Sequence, residues 1–213
     1  MKETSYADFG NNKNLRVHHQ KRERAVFYDD DFYYKLWVPN WEHSKVVRNA
    51  FKVGYYDSNI VPAFDSMITS DNIDLGYKIR RGKVIGGSQS SWKTLIDNSS
   101  QEQRIEFTKH VLNKSMQHRC IVSDMCPANV ILWNGKLSLI DLEGLASFDW
   151  FFSGHPEKWE AQNRNLKKYP TPLWRDMSKY LRAFLEECVN IKYDKDINSI
   201  KNFLEVHTMI SNL

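Results

Sequence analysis

The chain has 213 residues, 41% of them hydrophobic and 13% aromatic, enough apolar material for one sizeable domain or two small lobes and too much for a disordered chain. A net charge of +4 suits anionic small ligands such as nucleotides but is too weak to argue nucleic-acid binding. Cys120, Cys126 and Cys188 form no C-x-x-C pair, the first residues are polar, and no apolar run approaches a membrane span, so the expectation is a reduced, cytoplasmic protein that is not an integral membrane protein.

Residues 1–14 are polar and read as a frayed or loosely docked start. "LRVHH", "RAVFY" and "DFYYKLWV" then read as short strands, the last two joined by an Asp29-Asp30-Asp31 turn. A helix is expected from Asn40, a good N-cap, with Val46, Val47, Ala50 and Phe51 as its apolar stripe and Gly54 at its stop. "NIVPAFDSMI" and "IDLGYKI" read as two further strands.

Beyond the turn-prone "RRGKVIGG" the character becomes helical. "SSWKTLI" is a short helix, and Ser99 to Glu102 make a capping-box pattern for a helix running to about Gln117. "PEKWEAQNRNLKKY", "PLWRDMSKYLRAFLEECV" and "DINSIKNFLEVHTMI" complete a helical second half. The expected boundary between the two halves lies at residues 82 and 83, within one domain spanning 1–213.

Between these helices stands "IVSDMCPANVILWNGKLSLIDLEG", residues 121–144. Asn134-Gly135 is a strong hairpin signal, because both residues tolerate positive φ, and it joins strands at Val130–Trp133 and Lys136–Ile140. The hairpin brings its end back beside its beginning. Asp141, after the second strand, is therefore expected near Asn129, before the first. Loops rarely gather such oxygen donors without a cation to hold.

These residues carry a resemblance. "DMCPAN" resembles the D-x-x-P-x-N catalytic loop of the protein-kinase-like superfamily, and "IDLEG" resembles its metal-binding Asp-Phe-Gly segment, seventeen positions on. The resemblance implies a compact two-lobed, α+β kinase-like fold, with a β-rich N-terminal lobe carrying one helix and an α-rich C-terminal lobe. It implies ATP and Mg²⁺ as cofactors. Asp124 would accept or orient the proton of the attacking hydroxyl, and Asn129 and Asp141 would hold the metal that bridges the phosphates. Lys35, in an aromatic strand on the face shared with Tyr33 and Trp37, would contact the α- and β-phosphates; the alternative is an edge lysine snorkelling into water. Glu42 would be the partner of Lys35, or else a first-turn acid favoured by the helix dipole. Asp176 would support the catalytic loop, and backbone groups near Tyr77–Arg81 would receive the adenine.

The sequence also departs from that family. "VHHQKRER" has no glycine where a phosphate-covering loop belongs, and Val122-Ser123 stand where His or Arg usually precedes the catalytic aspartate. Cys126 replaces the lysine of protein Ser/Thr kinases. These features resemble the divergent branches, lipopolysaccharide-core sugar kinases and aminoglycoside or choline phosphotransferases. The expected acceptor is a hydroxyl of a sugar or other small molecule, with a lipid-linked sugar or a protein as alternatives. A nucleotide-binding pseudokinase is the competing class.

Overall fold

The computed structural model describes residues 1–20, 24–37, 42–82, 92–122, 125–152 and 181–213. It is a mixed α+β structure whose chain divides into two compact units, Met1–Ile85 with Val130–Glu143, and Gly86–Asn129 with Gly144–Leu213.

The first unit is built on a six-stranded sheet. Its strands are β1 (Glu3–Ser5), β2 (Arg16–Gln20), β3 (Arg24–Tyr28), β4 (Phe32–Trp37), β5 (Phe64–Ser70) and β6 (Ile73–Arg80), in the order β1-β5-β6-β4-β3-β2. The Asp29 turn closes β3 onto β4 as an Asx turn, its Oδ1 accepting from the N–H groups of Asp31 and Phe32 at 2.9 and 2.8 Å. β4 and β6 approach unusually closely. A Cβ at Gly76 would lie 2.0 Å from the Lys35 carbonyl oxygen, so only glycine fits there.

The start of the chain is ordered, contrary to the frayed expectation. β1 pairs in parallel with β5, and α1 (Tyr6–Gly10) buries Phe9 against Tyr34 and Ile68 on one sheet face. One buried phenylalanine contributes about 1.5–3 kcal/mol, sufficient to hold a short polar segment down. Among the described residues of 1–82 there are therefore two helices, α1 and α2 (Glu42–Lys52), where one was expected. α2 stops ahead of Gly54, which adopts φ +78°, and its Arg48 binds Asp74 and Glu3. "NIVPA" is not strand: β5 begins only at Phe64, because Ile60 and Val61 turn back onto Asp57 through their N–H groups.

The Asn-Gly hairpin forms as expected, with β7 assigned below, as β8 (Val130–Trp133) and β9 (Lys136–Leu139), and with positive φ at Asn134 and Gly135. It belongs to the first unit, not to the helical half. Leu139 N–H donates to Ile60 O at 3.0 Å, and a Cβ at Gly82 would lie 2.6 Å from Leu132 O.

In the second unit α3 (Lys93–Asn98) precedes α4 (Gln101–His118), whose capping box is formed by Ser100 and Gln103, one residue later than expected. β7 (Cys120–Val122) pairs antiparallel with β10 (Leu145–Ser147), and α5 (Phe148–Phe152) follows. Leu181–Val189 is helical and ends in a π-helical turn; α6 (Ile200–Ser211) starts at its N-cap Ser199. Trp92, Phe107 and Phe184 form this unit's aromatic core. Buried Arg104 ties the pieces together, donating from Nε to Cys188 O at 2.6 Å and from its guanidinium to Ser99 O. The three cysteines are free thiols, and among the described residues no helix is long and apolar enough to cross a membrane. The helix expected over 156–169 lies outside the described residues.

Candidate functional site

Lys35 sits in the middle of β4, opposite Val26 of β3 and Tyr77 of β6. Alternation along the strand puts it on the same face as Tyr33 and Trp37. Its side chain is only 12% exposed, which rules out a lysine snorkelling into water. Nζ instead donates to Asp141 Oδ1 at 2.5 Å, joining residues 106 positions apart, and pairs with Glu143 Oε1.

Asp141 and Glu143 flank buried Leu142 in the segment that leaves β9. Two tyrosines hold that segment. Tyr77 Oη donates to Ile140 O at 2.8 Å, accepts from Leu142 N–H at 3.3 Å and lies 3.0 Å from Glu143 Oε2. Tyr56 Oη donates to Leu142 O at 2.5 Å. The backbone after the hairpin is therefore fixed from both sides, and the two carboxyl groups project toward one ammonium.

The charges of this cluster do not cancel. Two carboxyl groups share one lysine in a largely desolvated place, with Arg24 adding a more distant positive field. Burial alone would raise both acids, but Lys35 and a hydrogen bond from Glu143 hold Asp141 below its ordinary range. Glu143 goes the other way, pushed up to about 7 by its burial and by the neighbouring Asp141. Burial, with these carboxyl groups beside it, also raises the Tyr77 phenol well above 10, so it remains a neutral donor. Glu143 Oε1 lies within ion-pairing reach of Lys35 but lacks hydrogen-bond geometry to any partner.

Asp141 and Glu143 supply hard oxygen donors. Mg²⁺ takes hard oxygen ligands and uses one or two carboxylates together with phosphate oxygens and water. Among the described residues no three His, Cys, Asp or Glu side chains group so as to hold a metal ion.

Of the residues expected at the site, the structure brings Lys35 and Asp141 together. Asn129 belongs to the second unit, at the end of a 3₁₀ turn (Pro127–Asn129), where its N–H donates to Cys126 O at 2.9 Å. Asp124 and Asp176 lie outside the described residues. Glu42 opens α2, but its side chain is outside the described part of the structure. The segment expected to receive the adenine, Tyr77–Arg81, covers the end of β6 and the residue after it. β6 is paired on both edges, and the N–H groups of Arg80 and Arg81 already donate to Ala63 O and Asp31 O.

Glu143 and Tyr77 as a side-chain donor were missed. Glu143 falls in a turn at Leu142 and Glu143, so no strand period marks it in the sequence. Nothing in the sequence tells which residue of β6 faces Lys35. No protein-family model matches the chain, and no curated protein matches it at a significant level.

Proposed function

We propose that this protein is an ATP- and Mg²⁺-dependent phosphotransferase that moves the γ-phosphoryl group to a hydroxyl of a sugar or other small molecule. The observation that carries the reading is the partly buried Lys35–Asp141 ion pair, a strand lysine joined to the acid that follows an Asn-Gly hairpin. On this reading the two units correspond to the lobes of a kinase-like fold, and the protein works in the cytoplasm.

Each role follows from charge. Phosphoryl transfer concentrates negative charge on the phosphate oxygens, so positioning and electrostatic stabilisation do most of the work. Lys35 supplies a fixed ammonium for the α- and β-phosphates. Asp141 and, by the family resemblance, Asn129 would hold Mg²⁺, which supplies neutralisation of the phosphate charge. Asp124 takes or orients the proton of the acceptor hydroxyl.

A nucleotide-binding module without transfer is the second reading. It is favoured by the absence of glycine from Val17 to Arg24, where phosphate-covering backbone belongs. Incubation with γ-labelled ATP, Mg²⁺ and a panel of sugars, lipid-linked sugars and proteins decides between them. The phosphotransferase reading expects Mg²⁺-dependent label on one acceptor class and none with Asp141→Asn. MgATP binding without transfer to any acceptor supports the second reading, and wild-type transfer by Asp141→Asn rejects the metal role of Asp141.

A further inference from the structure

A flexible lysine serves a phosphate only if its ammonium is held in place, because about 2 kcal/mol of rotamer entropy opposes any single position. Lys35 has two carboxyl partners, and they are not equivalent. Asp141 is 23% exposed and is the acid assigned to the metal. An ammonium relying on Asp141 alone would lose its partner whenever that carboxylate served as a ligand.

Glu143 is differently placed. Its side chain is 8% exposed, and its second oxygen lies 3.0 Å from the hydroxyl of fully buried Tyr77. Tyr77 stands directly opposite Lys35 in the β4–β6 register. The path from Lys35 to Glu143, to Tyr77 and back across one strand pair is therefore a closed loop of side chains on a rigid sheet. Gly76, beside Tyr77, lets the two strands come close enough for the loop to close. Ile140 O and Leu142 N–H fix the Tyr77 hydroxyl in turn.

We propose that Glu143 is the positioning residue that anchors Lys35 independently of Asp141, with Tyr77 holding the anchor. The anchor thus comes from the turn that carries the metal-binding acid, two residues beyond it. This deepens the phosphotransferase reading and rests on it for what Lys35 does with ATP.

The test separates the anchor from the activity. Lys35 in metal-free, nucleotide-free protein is acetylated with an N-hydroxysuccinimide ester and quantified by peptide mass spectrometry, with 78%-exposed Lys93 as internal reference. Glu143→Gln should speed Lys35 acetylation by about tenfold relative to Lys93, because the Lys35 ammonium loses one of its two acidic neighbours. Glu143→Asp should restore part of the protection. Tyr77→Phe, which removes only a hydroxyl, should move the rate in the same direction and decides the matter if Glu143→Gln does not fold. In turnover, Glu143→Gln should raise the KM for ATP about tenfold with a much smaller change in kcat, as for a contact made equally in ground and transition states. Unchanged Lys35 acetylation in folded Glu143→Gln and Tyr77→Phe overturns the anchor. Faster acetylation in a protein whose wild type transfers no phosphate upholds the anchor and rejects the phosphotransferase reading. Faster acetylation with an unaltered KM overturns the anchor's service to the nucleotide.

Discussion

Replacing Gly76 with alanine adds one methyl group against the backbone of β4. The new Cβ would meet the Lys35 carbonyl oxygen at 2.0 Å and the Leu36 Cα at 3.0 Å. Neither atom can rotate away. Overpacking costs about 1–3 kcal/mol, and a collision with backbone belongs at the top of that range. Restricting the unfolded chain offsets about 0.4–1 kcal/mol, leaving a net loss on the order of 2 kcal/mol. For a chain of this size that is a fall in Tm of roughly 4–8 °C. Differential scanning calorimetry in one buffer measures it directly. Because the displaced carbonyl belongs to Lys35, ATP-dependent transfer should fall in the same variant even at temperatures where it is folded. A Tm equal to or above wild type would refute the inference that β4 and β6 pack at glycine distance.

Further outcomes follow from the same geometry. Lys35→Ala should weaken ATP binding by an order of magnitude or more, since a charge-assisted phosphate contact is worth about 1.5–3 kcal/mol; isothermal titration calorimetry checks it, and wild-type affinity would remove Lys35 from the site. Asp124→Ala should keep near wild-type MgATP affinity while single-turnover transfer slows by roughly 10²–10⁴-fold, the cost of losing a positioned base. Unchanged transfer would reject Asp124 in that role. Asp29 is held below its ordinary carboxylate range: burial would raise it, but hydrogen bonds from Tyr34 and from the Asp31 and Phe32 amides outweigh that. A depressed folded-state pKa gives stability present above the unfolded value and lost as pH falls through the folded one. The Tm gap between wild type and Asp29→Asn should therefore be widest near neutral pH and shrink in acid; a gap that grows on acidification would contradict the assignment.

Much of this architecture was readable from local chemistry. Asn134-Gly135 specified the hairpin because both residues accept positive φ, and the serine pair ahead of α4 marked its start to within one residue, Ser100 rather than Ser99 being the cap. Lys35 stood out as a charge within an aromatic strand. What escaped depends on distant partners. α1 is anchored by one Phe9 in a polar stretch, and its burial is decided by Tyr34 and Ile68. The hairpin's membership of the first unit rests on Ile60, Gly82 and Tyr77, none of them near it in sequence. Glu143 was hidden for a related reason, since its meaning appears only when β6 sets Tyr77 behind it.

The two edges of the six-stranded sheet have opposite fates. β1 covers β5 with three residues and little more to offer. At the other side β2 presents Arg16, Val17, His18, His19 and Gln20, all exposed, with a bulge between Val17 and His19 that interrupts its ladder. A second copy approaching β2 edge to edge would set arginine and imidazole side chains against their own kind and meet amide groups out of step. The edge two strands from Lys35 is thus a poor template for growth of a continuous sheet.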